Sequence, residues 1–369
     1  MLVETAREIL RAHADPDRVE RAWHWSPSDV HRGNAGVALA FGRLHRADPD
    51  GGWDRVAHPF IARAASHLHP DQLGLFDGLA GTAFVLRFLG QGGRRYVEAT
   101  ASVETLLLTR TRHLLDSLPD AARLVREYDL TSGLAGIGGV LLAIPAARGL
   151  LVDLLDRLTR WTAAGFHAGF EPDQHTVNLG LAHGIPGPLA LFALASRAGV
   201  ECEEWVAHEL ATRLVTGIVP TDYGPDLPLM LPSPTPEPSR IGWCYGNIGA
   251  ARALQLAGDA FGQPAWTATA LALLRSGLAR VDDPVSRIED AALCHGTAGL
   301  LHVVGLISAD AGNPPDLVAA HAALANRLLA EPVPDAPGLL VGATGVALAL
   351  LSAAGPIEGT DWDRTLLVS

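Results

Sequence analysis

The chain has 369 residues, 48% of them hydrophobic and 18% charged, which supplies a large core and excludes a disordered chain. Its formal charge is −12, all 28 cationic residues are arginine, and no basic run stands out, which argues against a nucleic-acid or anionic-membrane ligand. Three cysteines do not make a disulfide framework.

The opening stretch, "MLVETAREILRAHADPDRVE", has a charged amphipathic pattern and lacks the apolar centre of a signal peptide. The expected compartment is the cytoplasm. A Gly-x-x-Gly followed by an apolar run then appears in "RGNAGVALAFGRL", at Gly33 and Gly36. It returns in "DGLAGTAFVLRFL" at Gly78 and Gly81, in "SGLAGIGGVLLAI" at Gly133 and Gly136, and in "HGIPGPLALFALA" at Gly184 and Gly187. The last three copies are "YGNIGAARALQLA" at Gly246 and Gly249, "HGTAGLLHVVGLI" at Gly296 and Gly299, and "VGATGVALALLSA" at Gly342 and Gly345. The first glycines of these seven copies are 45, 55, 51, 62, 50 and 46 residues apart.

A period near 50 residues marks an array of supersecondary units. The apolar runs are rich in Ala and Leu, which favour helix. Between them, stretches such as "WDRVAHPFIARAASHLH" and "DLVAAHAALANRLLAE" repeat apolar residues at helical spacing with one wet face. Each repeat therefore predicts two helices, one apolar all round and one amphipathic. Residues 336–357, "APGLLVGATGVALALLSAAGPI", carry no charge and are long enough to cross a bilayer. Their place as the seventh copy, among copies that carry charge, assigns them to the core instead. The clearest long loop is residues 219–240, whose prolines forbid a continuous helix.

Seven helix pairs can stack as an open solenoid or close into a ring. Helices apolar on nearly every side need neighbours on most sides, so the expected fold is all-α, an α/α toroid of seven inner and seven outer helices. It spans residues 1–369 as a single domain. Paired glycines at the start of each inner helix permit a tight turn into a crowded barrel mouth, and the repeat places all seven turns at one rim.

Several chemically distinctive residues stand just before these glycines. Cys244 and Cys294 each lie two before, His295 and His183 one before, Asp77 one before and Asp129 four before. Cys244, Cys294 and His295 make a Cys₂His set. Thiolate and imidazole are preferred zinc ligands, and three of them leave a fourth tetrahedral position for substrate. The plainer readings are cysteines packed as small hydrophobes, His183 as a helix cap, and Asp77 and Asp129 as acceptors at helix N-termini. Cys202, in "GVECEEWVAHEL", is expected in an outer helix as an ordinary free cysteine. His175, His302 and His321 have no positional argument.

At these residues the chain resembles the lanthionine synthetase C-like (LanC-like) cyclases. The matching motifs are "NLGLAHGIPG", "GWCYGNIG" and "LCHGTAG", with "YDLTSGLAGIGG" and "GLLVGATG" in support, in the family's order over nearly the whole chain. The resemblance implies an α/α toroid with Zn²⁺ at one end of the barrel, held by Cys244, Cys294 and His295. It implies addition of a peptide cysteine thiol to dehydroalanine or dehydrobutyrine, giving the thioether of lanthionine or methyllanthionine. By the same match His183 is an acid/base residue, Asp129 an acidic residue important for activity, and Arg240 and Tyr245 line the site. The implied substrate is a dehydrated precursor peptide, with dehydratase or kinase-lyase enzymes as partners and membrane association only through them. The 55-residue step from Gly78 to Gly133 leaves little room for the inserted domain of some members, and the chain is expected to stand alone.

The chemistry suits these residue types. A peptide thiol ionises near pH ~8.5, so at neutral pH little of it is the nucleophilic thiolate. A zinc site deprotonates and positions it. Attack creates an enolate that needs a proton, which a histidine can supply near neutral pH, with Asp129 orienting the imidazole and Arg240 stabilising the enolate. The rival functions are a glutathione-adding LanC-like enzyme, a non-catalytic peptide-binding scaffold of a modification complex, and a carbohydrate-active or prenyl-transferring α/α barrel.

Overall fold

The computed structural model describes residues 1–21, 25–166, 176–233, 238–355 and 361–369. His175 lies outside them, as do parts of the 219–240 and 336–357 segments. Seven helices form an inner ring: Asn34–Ala47, Leu79–Leu89, Leu134–Leu141, Pro186–Arg197, Asn247–Ala260, Thr297–Asp310 and Ala343–Ala353. Each packs on the next, and the seventh packs on the first, so the ring is closed. Six outer partners follow their inner helices in sequence: Trp53–Ser66, Val97–Ser117, Arg148–Ala163, Glu204–Thr216, Pro264–Ala279 and Pro315–Ala330. The outer partner of the seventh inner helix is the N-terminal helix Leu2–Arg11. The two ends of the chain thus staple the toroid shut.

Burial follows the two sequence patterns. In Leu79–Leu89 every residue but Arg87 is buried. In Val97–Ser117 only Val103, Leu107, Thr111 and Leu115 are, a single stripe at four-residue spacing. The inner helices are less purely apolar than their sequence suggests. Arg252 is buried there, with its guanidinium bonded to the Val368 carbonyl at 2.7 Å and to Asp310 at 2.7 Å. Residues 361–369 account for this: Trp362, Leu366, Leu367 and Val368 are buried inside the barrel, against the Leu79–Leu89 and Leu134–Leu141 helices.

The first glycine of the motif is the N-cap of its inner helix in six copies. In the fourth copy the helix begins later, at Pro186, whose ring suits the first helical position. The second glycine is fixed by space: a Cβ on Gly136 would lie 2.0 Å from the Leu130 carbonyl oxygen. Among the first glycines only Gly246 has a left-handed backbone, with φ at 88°.

The seven turns meet at one end and are hydrogen-bonded into a circle. The N–H groups of Val30, Phe76, Leu130, Ala182, Cys244, Cys294 and Leu339 donate to the carbonyls of Phe76, Thr131, Ala182, Cys244, Cys294, Leu340 and His31 in turn. The acceptor is always the residue two before the next repeat's first glycine, at 2.8–3.2 Å. Backbone groups at a barrel mouth need partners, and the repeat supplies one donor and one acceptor per copy.

Residues 219–240 are not wholly irregular. Val219–Thr221 pairs with Gly224–Asp226, and Met230–Leu231 pairs antiparallel with Val177–Asn178. Cys202 lies ahead of the Glu204–Thr216 helix rather than inside it. Among the described residues no helix is long and apolar enough to cross a membrane. The last inner helix, Ala343–Ala353, has 11 residues, and ring closure buries it on every side.

Candidate functional site

The rim turns surround a cavity of about 480 Å³. Its wall is built by position in the repeat. The residues two before each first glycine line it: His31, Phe76, Thr131, Ala182, Cys244, Cys294 and Leu340. So do those one before in six of the copies, Arg32, Asp77, Ser132, His183, Tyr245 and Val341. Sequence offset therefore selects which residues reach the cavity, and repeat number sets their order around the mouth.

Copies five and six are adjacent in the ring, and this brings Cys244, Cys294 and His295 together. One ligand atom from each lies within 4.8 Å of the others. Cys244 is buried and the other two are half-buried. The two thiols are hydrogen-bonded to each other. The hydrogen bond from Cys294 draws the Cys244 thiol well below its ordinary value, against burial and with help from His295 and Arg240. The same contact and burial push Cys294 up, and Cys244 raises His295. Two thiols and an imidazole side by side at a cavity wall fit a soft or borderline metal ion. The cluster has the donors to hold one.

The neighbouring wall carries the imidazole. His183 Nδ1 is 2.6 Å from Asp129 Oδ2, and Thr131 Oγ donates to that same oxygen at 2.8 Å. Asp129 is buried, and its Oδ1 accepts the N–H groups of Ser132 at 2.8 Å and Gly133 at 2.9 Å. It is thus both the acceptor of the turn and the partner of the imidazole. Asp77 instead accepts Ser132 Oγ, at 3.0 Å.

Tyr245 stands beside His183, with ring centres 6.2 Å apart, and its hydroxyl accepts a bond from Asn178 Nδ2 at 2.8 Å. Burial raises the phenol's pKa, with the Cys244, Asp129 and Cys294 charges adding to it, so Tyr245 stays protonated at neutral pH. Arg240 also lines the cavity. Its segment is anchored by a buried ion pair, Arg280 to Asp226 at 2.7 Å, while Asp226 accepts the Ser239 N–H at 2.9 Å. Trp243 lines the cavity too: it is fully buried, edge-on to Phe76, and donates to the Leu366 carbonyl at 3.1 Å.

All the sequence-nominated residues thus meet at one mouth. Sequence reasoning missed the first repeat's share, Asp29, His31 and Arg32. The signal was present: Asp29 is four before Gly33, as Asp129 is four before Gly133, and His31 holds the place that Cys244 and Cys294 hold in theirs. Of the histidines without a positional argument, His302 pairs with Asp363 at 3.0 Å, inside the barrel and away from this cavity.

No curated protein sequence matches the chain. A solved structure titled "Nisin cyclase" superposes with a TM-score of 0.82 at 18% identity, over 99% of this chain and 97% of that one. The family described as "Lanthionine synthetase C-like protein" matches residues 24–367. The chain therefore belongs to the lanthionine synthetase C-like family.

Proposed function

We propose that the protein is a zinc-dependent lanthipeptide cyclase, which adds cysteine thiols of a dehydrated precursor peptide to its dehydroalanine and dehydrobutyrine residues. The observation that carries this reading is the Cys244–Cys294–His295 cluster sharing one open cavity with the His183–Asp129 pair. Zn²⁺ held by Cys244, Cys294 and His295 would supply a Lewis acid that keeps a peptide thiol ionised and in place.

The chain's own groups do the rest. Asp129 fixes the orientation of His183 by engaging Nδ1, and the imidazole held there is the group that exchanges a proton with substrate. Arg240 and the Tyr245 hydroxyl face the cavity as a cation and a neutral donor for the enolate oxygen. Phe76, Trp243 and Leu340 give it apolar surface that keeps water from the reacting carbons. The three free thiols suit a reducing compartment, the cytoplasm, where a dehydrating enzyme would deliver the substrate.

The test is a peptide with dehydrated serine or threonine and one cysteine, incubated with the zinc-loaded protein. Cyclisation leaves the mass unchanged and hides the cysteine from a thiol-alkylating reagent. A peptide thiol that remains fully alkylatable overturns the reading. Thiol addition with glutathione but not with the peptide's own cysteine would assign the glutathione-adding alternative.

A further inference from the structure

The seven turns form a closed circle, so positions across the cavity can be counted. Cys244 belongs to the fifth turn, and the first and second turns are each three steps away. Asp29 and Asp77 therefore face the thiol–imidazole cluster from the opposite wall, and both line the cavity. Asp29 is held there by its own turn: its N–H donates to the Ser26 carbonyl at 3.2 Å, and its carbonyl accepts from Gly36 at 3.4 Å.

This wall is joined to the imidazole by a chain of contacts. Ser132 links two carboxylates, bonding Asp129 through its backbone N–H and Asp77 through its hydroxyl. Asp129 bonds His183. Asp77 raises Asp29 by its charge. Four successive repeats thus present an arc of proton-carrying groups, His183, Asp129, Asp77 and Asp29, around half of the mouth.

The groups facing Asp29 are Asp77, the Ser26 hydroxyl, Arg32 and His31. Burial pushes its carboxyl up to about 6, against Ser26 and Arg32. Burial and Arg32 push His31 down to about 4, so that imidazole is neutral at working pH. Asp29 then both holds and releases a proton near neutrality, and Asp77 beside it on this wall is raised as well, chiefly by burial.

We propose that Asp29 is a second proton-transfer residue of the site, serving the face of the bound alkene turned away from the Cys244–Cys294–His295 cluster. The inference rests on the cyclase reading above. As the sulfur–carbon bond forms at the β-carbon, the alkene π pair moves into the enolate. The α-carbon then takes the Asp29 carboxyl proton, and the carboxylate recovers the proton that the substrate thiol releases on ionising. Nothing is oxidised or reduced. A proton from this wall and one from His183 reach the α-carbon from different sides, so their balance sets the diastereomer of the thioether.

The experiment uses the full zinc-loaded chain and the dehydrated peptide, with Asp29→Asn and Asp29→Glu beside the wild type. Zinc content, cyclisation rate and the diastereomers of lanthionine after hydrolysis are measured. The expected result for Asp29→Asn is full zinc occupancy, a rate at least tenfold lower, and no product from the proton face that Asp29 serves, with Asp29→Glu recovering part of the rate. A wild-type rate and diastereomer ratio in Asp29→Asn overturn the proposal, as does loss of zinc or of fold in both variants, which would make Asp29 structural. A wild type that forms no thioether sinks the cyclase reading instead.

Discussion

His183 Nδ1 lies 2.6 Å from Asp129 Oδ2, and the other oxygen of that carboxylate closes the turn that starts an inner helix. One buried side chain joins the fold's repeating turn to the candidate acid. Asp129→Asn keeps an acceptor for the turn and removes the charge that orients the imidazole. Its expected effect is a cyclisation rate about 10²–10⁴-fold lower, with zinc content unchanged. Asp129→Ala also loses the turn's acceptor and costs about 1–2 kcal/mol more, read by denaturant titration of the two variants.

Cys244→Ala, Cys294→Ala and His295→Ala each remove one of three donors clustered within 4.8 Å. Each variant should lose bound zinc on gel filtration and all thioether formation. Helix content should hold, because the turns there are linked by backbone N–H and carbonyl groups of Cys244 and Cys294 rather than by their thiols. Metal analysis and circular dichroism on the same samples check both halves. Full zinc occupancy in all three variants would refute the ligand assignment.

Gly136 and Gly149 make a contrasting pair. A Cβ on Gly136 meets the Leu130 carbonyl oxygen at 2.0 Å, whereas one on Gly149 meets nothing within 4 Å. Leu130 is also a donor in the rim circle. Gly136→Ala should destabilise by at least ~3 kcal/mol, as overpacking against fixed backbone does. Gly149→Ala, on an exposed helical position, should stabilise by up to ~1 kcal/mol. Equal thermal shifts in the two variants would refute the steric account of the motif.

Asp29 also predicts a pH dependence of stability. Its carboxyl is raised by burial to about 6 in the folded chain, against about 3.9 when unfolded. The folded state then binds the proton more tightly, so the contribution is fully present below ~4 and is lost as pH rises through about 6. Asp29→Asn should therefore be more stable than wild type at pH 7, by about 1–2 kcal/mol after solvent screening, and the gain should vanish toward pH 4. Thermal melts at the two pH values measure it; a gain that persists at pH 4 would show a different cause. Stability given up at a cavity wall is what a functional carboxyl costs.

The sequence by itself determined the repeat, the two kinds of helix and the thiol–imidazole set that could hold a metal ion. The motif glycines are local necessities, since a Cβ at Gly136 or at Gly249 strikes a carbonyl six residues earlier. Cys244, Cys294 and His295 were legible because thiols are scarce in this chain and two fall at the same offset. The tertiary structure alone decided the rest. The N-terminal helix became the seventh outer helix, and residues 361–369 entered the barrel, because ring closure leaves a last inner helix without a partner and a lumen to fill. Asp29 and Asp77 became cavity walls facing Cys244 only once seven turns closed into one circle. An offset before a glycine fixes whether a side chain reaches the rim; which residues face it across the mouth depends on closing the ring, and that is a property of packing.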